Sequence, residues 1–381
     1  MKRRIPYRVL IPLLLLLLLA AGEIAREHRP TFLRPGLHLY AYVGNAGDGT
    51  VSVVDLIGLA TVATIPVGPS PSGLRAHPTR DQIWGVSTTD GYAWVIDTRE
   101  GRVEGRIYVG AAPFAVDFSR DGRFAYVAAS GANTLSAIDC TTGRIAARAH
   151  TGRRPWLARV TPDGKQVLVP NREDSTLGIY DAQTLTLIAT VGVATHPEQV
   201  VVLPDSSTAF LSATGSNEVS VVDLRRQLLI ANLRLEGTPS ALLLKPDGGE
   251  LIVTIPDAHG LEIIDTWRTE IEQSLVTGSA PTDGTMTSDS STLFVSDPAA
   301  GRVTPIEISH RRLLPPIPVG RQPGACALDP NGDLLLVTDE NSGDLAAVSV
   351  RYPSIIPRQS FPLITLIPVG SRPRSIAIKL F

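Results

Sequence analysis

Two cysteines, two methionines and an aromatic content of 5% in 381 residues set the first limits on this chain. Cys140 and Cys326 are too few for a disulfide-framed scaffold. They also fall in well-separated stretches, which predicts two buried free thiols and no bridge. No Cys-x-x-Cys-His is present, so haem is not attached covalently. The chain also lacks Gly-x-Ser-x-Gly, His-Glu-x-x-His and a phosphate loop, the local signatures of several hydrolase and nucleotidase classes. No cofactor, metal centre or catalytic residue is predicted.

Long apolar runs are missing, with one exception. Val9 to Ala21 is a stretch of 13 apolar residues behind Lys2, Arg3, Arg4 and Arg8. It is shorter than the roughly 20 residues a membrane-spanning helix needs, and Ala20 and Gly22 are small residues of the kind found at cleavage sites. Residues 1–22 therefore read as a signal peptide, with a retained N-terminal anchor as the alternative. Residues 23–36 read as a linker and 37–381 as one folded domain. The expected location is the periplasm, the cell surface or the medium. Without residues 1–22 the chain keeps 31 of its 35 basic residues against 37 acidic ones, a net charge of −6. That acidic excess argues against a general nucleic-acid binder. It leaves a membrane contact only to an uncleaved N-terminal segment.

What is abundant is turn chemistry. The 33 Gly and 30 Pro separate short runs of Val, Ile, Leu and Thr, the pattern of many short strands. A Val-Gly-x-x-Pro element recurs with its proline at Pro71, Pro113, Pro155, Pro197, Pro239, Pro281, Pro323 and Pro373; six intervals are 42 residues and the last is 50. A second column keeps the same spacing through Asp55, Asp97, Asp139, Asp181, Asp223, Asp265, Glu307 and Ser349. A third runs through Asp121, Asp163, Asp205, Asp247, Asp289 and Asn331. An acid present in nearly every unit serves turns rather than one active site.

Each unit holds four strand signals, in the second repeat Leu74–Ala76, Gln82–Ser87, Tyr92–Asp97 and Arg102–Val109. Four antiparallel strands per unit of this length predict a β-propeller blade. The first 70 residues supply three strands and the last residues supply one. Pairing them closes an all-β ring of eight four-stranded blades, or seven if one end stays unpaired.

The second strands, among them Tyr42-Val43-Gly44-Asn45, Tyr126-Val127-Ala128-Ala129 and Leu336-Val337-Thr338-Asp339, precede a Val-Val-Asp or Ile-Asp strand and the Val-Gly-x-x-Pro link. This pattern is similar to the YVTN β-propeller repeat over about residues 37–381. The resemblance implies export and a propeller. It implies no single activity, since it extends to surface-layer proteins, periplasmic YncE-type proteins and propellers of haem-containing nitrite reductases.

Residues that break the repeat on the channel-mouth face are the candidate ligand-binding set. The inter-blade links carry Arg153, Arg154, Trp156, His196, Glu198, Asp283, Arg321, Arg372 and Arg374. The loops between second and third strands add Arg172, Glu173, Asp339 and Glu340. Arginines at one mouth suit an anionic ligand, and Trp156 offers a stacking surface. The expected function is an extracytoplasmic scaffold binding a protein or a small anionic ligand. The alternatives are a propeller enzyme, lactonase-like or with a non-covalent haem or redox cofactor, and a single-stranded nucleic-acid binder. The eight extra residues between Ser349 and Gly370, with Pro353, Pro357 and Pro362, are expected to form a stiff excursion on the face away from the mouth.

Overall fold

The structure is a computed structural model that describes residues 38–350 and 361–381. The N-terminal segment and linker lie outside the described residues, as does most of the excursion after Ser349.

The described residues form eight antiparallel sheets, each one blade. In blade 2 the strands are Pro71–Ala76, Gln82–Ser87, Tyr92–Asp97 and Arg102–Tyr108, from the innermost outward. Leu74–Ala76 was thus too short an expectation, because the strand begins at the repeat proline itself. Sequence position dictates burial. Second and third strands are buried on both faces, as in Gln166–Asn171 and Thr176–Asp181, because each face packs against a neighbouring blade. Outer strands alternate between exposed and half-buried, as in Arg144–His150, because only one side meets protein.

The core consequently lies between blades. One cluster joins Trp84, Val86 and Val95 of blade 2 to Val116, Val127 and Ile138 of blade 3. Another joins Leu336, Leu345 and Ala347 of blade 8 to Ala41, Val43 and Val54 of blade 1. A blade alone would expose these faces, so stability is a property of the stack.

Closure settles the blade number at eight. Pro373–Leu380 is the innermost strand of blade 1 and pairs with Leu39–Asn45, in register from Leu39–Leu380 to Gly44–Ser375 and with a shift before Asn45–Pro373. Phe381 adds ring contacts at 5.7 Å to both His38 and Tyr40. Blade 7 departs from the pattern. Its outer strand breaks into Arg312–Leu313 and Ile317–Pro318, since Pro315 and Pro316 between them have no N–H to give the ladder.

The recurrent acids take the turn role. Asp139 accepts the backbone N–H of Thr141 and Thr142 at 2.8 and 3.0 Å. Asp181 and Asp223 do the same one and two blades on. Both cysteines are free, as expected. Cys140 is buried and its thiol is pushed up to about 12 by that burial. Cys326 is only half-buried, which corrects the expectation for it. It sits on the innermost strand of blade 8, where the ring leaves a channel.

Candidate functional site

The inter-blade links and the second-to-third-strand loops meet on one face. Backbone bonds join them: Arg172 N–H to Arg154 O at 3.0 Å, Thr214 N–H to His196 O at 3.1 Å and Glu340 N–H to Gln322 O at 3.0 Å. The residue before the repeat proline is held at positive φ in six links, at Ser70, Ala112, Arg154, His196, Gln322 and Arg372, with φ between 51° and 60°. A side chain costs about 1 kcal/mol or more in that region.

The residue after the repeat proline lies at the head of the innermost strand and forms the rim of the channel. Around the ring it is Ser72, Phe114, Trp156, Glu198, Ser240, Thr282, Gly324 and Arg374. Bulk and charge therefore sit on blades 1, 3, 4 and 5, and small residues elsewhere. Phe114 and Trp156 stack with ring centroids 4.4 Å apart and planes tilted by 31°. The Arg172 guanidinium lies 5.4 Å from the Trp156 ring. It forms an ion pair with Glu198 at 3.0 Å, though not an aligned hydrogen bond. Thr214 donates to the same Glu198 oxygen at 3.1 Å.

On blades 8 and 1, Glu340 takes two arginines: Arg374 Nη2 at 2.6 Å and Arg372 Nε at 3.2 Å. Burial works to raise the Glu340 carboxyl, but the two guanidiniums outweigh it and hold it below the usual range. A cavity of about 650 Å³ opens at this rim, lined by Phe114, Arg374, Glu340, Ser72, Thr338 and Ser375 among others. The Thr338 and Ser375 hydroxyls are buried and have no partner among the described residues, so they are open to a water or a ligand.

Not every candidate joins this cavity. Arg153 pairs with Asp174 at 2.5 Å and Arg154 with Glu173 at 3.4 Å, both at the exposed edge of the link. His196 is exposed on its own link. The Arg321 side chain has no ion-pair or hydrogen-bond partner among the described residues, and it lines a separate groove with Gln322 and Asn341. Asp283 belongs to the channel rather than the loops. It starts the innermost strand of blade 7, its carboxylate accepts the Gly284 N–H at 2.8 Å and faces the Cys326 N–H of blade 8, and burial pushes it up to about 6.

Phe114 was absent from the candidate set although its column was visible. It follows Pro113 as Trp156 follows Pro155, and only the loop-based choice of residues passed it over. Thr338 and Ser375 carry no sequence signal, because their roles come from contacts the ring creates.

The family model for the YNCE-like beta-propeller matches residues 111–333, more than half of the chain. The chain belongs to that family. No curated protein matches it significantly. Solved structures similar to this YNCE-like propeller include the dihydro-heme d1 dehydrogenase NirN in complex with DHE, with a TM-score of 0.75 and 15% identity over 88% of this chain and 74% of that one. The Kuenenia stuttgartiensis hydrazine synthase has a TM-score of 0.61 and 18% identity over 74% of this chain and 96% of that one. At such identities the likeness is one of fold.

Proposed function

We propose that this YNCE-like propeller is an exported, non-catalytic binding scaffold whose mouth takes a planar molecule carrying acidic groups. The observation that carries the reading is the shared cavity of Phe114 and Arg374, with Phe114 backed by Trp156 and the Arg172 guanidinium. A flat π-system stacks on the aromatic ledge, and its carboxylates exchange with Glu340 for the arginine donors. A tetrapyrrole has this shape and charge, and one fold neighbour is described as a dihydro-heme d1 dehydrogenase in complex with DHE. The residues here fit the ring plane and its acidic substituents. They do not fit axial ligation of a central metal, since no His, Cys or Met lines this cavity. The chain's own groups bind and orient by stacking and charge alone.

Titration of the purified protein into metal-free protoporphyrin IX, followed by the Soret band, checks the reading. A saturable shift is expected, weakened about tenfold by Phe114→Ala and similarly by Arg374→Ala. No saturable shift, or one indifferent to both substitutions, overturns it.

A further inference from the structure

Below the rim, the innermost strands carry charge that their own partners do not balance. One position down the channel reads Arg75, Asp117, Arg159, Val201, Leu243, Thr285 and Ala327 on blades 2 to 8 and Ala377 on blade 1. Blades 2 and 4 thus aim a guanidinium at the carboxylate of blade 3, and the other five blades hold no charge at that level. Arg75 Nη1 bonds Asp117 Oδ1, and Arg159 Nη1 lies 3.6 Å from Oδ2. The same two oxygens also accept the backbone N–H of Phe118 at 2.9 Å and of Val160 at 3.0 Å. The Asp117 acceptors are fully used, so neither arginine can draw further on it.

The donors are not used up. Among the described residues, Arg159 gives Nε to Val200 O at 3.3 Å and no hydrogen bond engages its Nη2, while Arg75 has only the bond to Asp117. Both side chains keep accessible surface, 43% for Arg75 and 32% for Arg159. Protein nevertheless surrounds Arg159, so its accessible face is the channel. One turn of the register lower, Lys379 of blade 1 bonds His77 O at 2.8 Å and has no carboxylate within ion-pair distance among the described residues. Burial lowers the pKa of both Arg159 and Lys379, and the charges of Asp117 and Asp81 respectively offset it only in part. Asp283 stands on blade 7, across the ring and nearer the mouth, where it faces Cys326 rather than these cations.

The geometry points to an oxyanion site in the lower channel, formed by Arg75 and Arg159 with Lys379 beneath, for a phosphate- or carboxylate-class anion. A tetrahedral or planar oxyanion accepts the idle guanidinium donors and balances the excess positive charge of the channel. None of these three side chains lines the rim cavity, and the site does not depend on what the rim binds.

Inorganic phosphate is the probe, titrated calorimetrically into the full chain at constant ionic strength. Saturable binding is expected, lost in Arg75→Gln and in Arg159→Gln, with circular dichroism confirming that each variant folds. Asp117→Asn removes the competing carboxylate and should tighten phosphate binding roughly tenfold or more. Phe114→Ala should leave phosphate binding unchanged, which separates failure at the rim from failure in the channel. Absence of saturable heat in the parent, or phosphate binding that Asp117→Asn weakens, overturns the proposal. If Arg159→Gln does not fold, the Arg75→Gln and Asp117→Asn results decide it.

Discussion

Asp339 occupies a position that repeats through the ring as Asn45, Ser87, Ala129, Asn171, Ala213, Ile255 and Asp297. At Asn45 and Asn171 the amide donates across the hairpin to Thr50 and Thr176, each at 3.0 Å. At Asp297 the carboxylate accepts the N–H groups of Ser279 at 2.6 Å and Ala280 at 3.2 Å. Asp339 has neither solution. It is fully buried, both oxygens lack an aligned donor, and its cross-strand partner is Asp344. Burial, with the Asp344 charge adding to it, pushes Asp339 up to about 7, and the nearby Gly320 N–H offsets this only in part. A carboxyl raised on folding stabilises the protonated native state below about pH 4, and that stability is lost as pH rises toward 7. Asp339→Asn should therefore leave stability unchanged near pH 4 and raise it by about 2 kcal/mol at pH 8, with the new amide donating to Asp344. Urea unfolding at the two pH values measures this, and a loss at pH 8 would show that the ionised carboxylate has an essential partner.

At the scale of the hairpin, the recurrent acids have the opposite pH sign. Backbone N–H groups of Thr142 and Thr141 hold Asp139 below the usual carboxylate range, and the Ser119 and Ser207 hydroxyls do the same for Asp121 and Asp205. The stability these groups contribute is present above about pH 4 and is lost as pH falls through their lowered values. Asp139→Ala should cost about 1–2 kcal/mol at pH 7 by removing two hydrogen bonds from one turn. Asp139→Asn should cost less and should remove this blade's share of the acid sensitivity. Chemical denaturation at pH 7 and pH 3 tests both. An Ala variant as stable as the parent would mean that the carboxylate does not hold the turn.

At the scale of the whole molecule, the innermost strand of blade 1 is the weak point of the design. Pro373–Leu380 comes from the far end of the chain and covers an edge that Leu39–Asn45 would otherwise expose. Removing residues 373–381 should leave seven complete blades and one three-stranded blade with an open edge, which invites pairing with a second copy. Light scattering is expected to show dimers or larger species and a lowered thermal midpoint. A stable truncated monomer would mean the ring does not depend on closure.

The sequence by itself determined the repeat, the four-strand blade and the turn role of the acids, and it narrowed the ring to eight blades or seven, which strand closure decided. These follow from local periodicity, which is written in order along the chain: a proline, an acid and an apolar pair recur in fixed phase. It also placed Trp156, Glu198, Arg372 and Arg374 on the face that links and loops share, since both keep their sides in every blade. Only the tertiary structure decided what these residues do together. Arg374 meets Glu340, Phe114 meets Trp156, and Arg75 meets Arg159 across Asp117, because ring closure and the 42-residue offset bring different blades to one axis. A repeat specifies where each side chain points from its own blade, and the chemistry arises where several blades point at the same space.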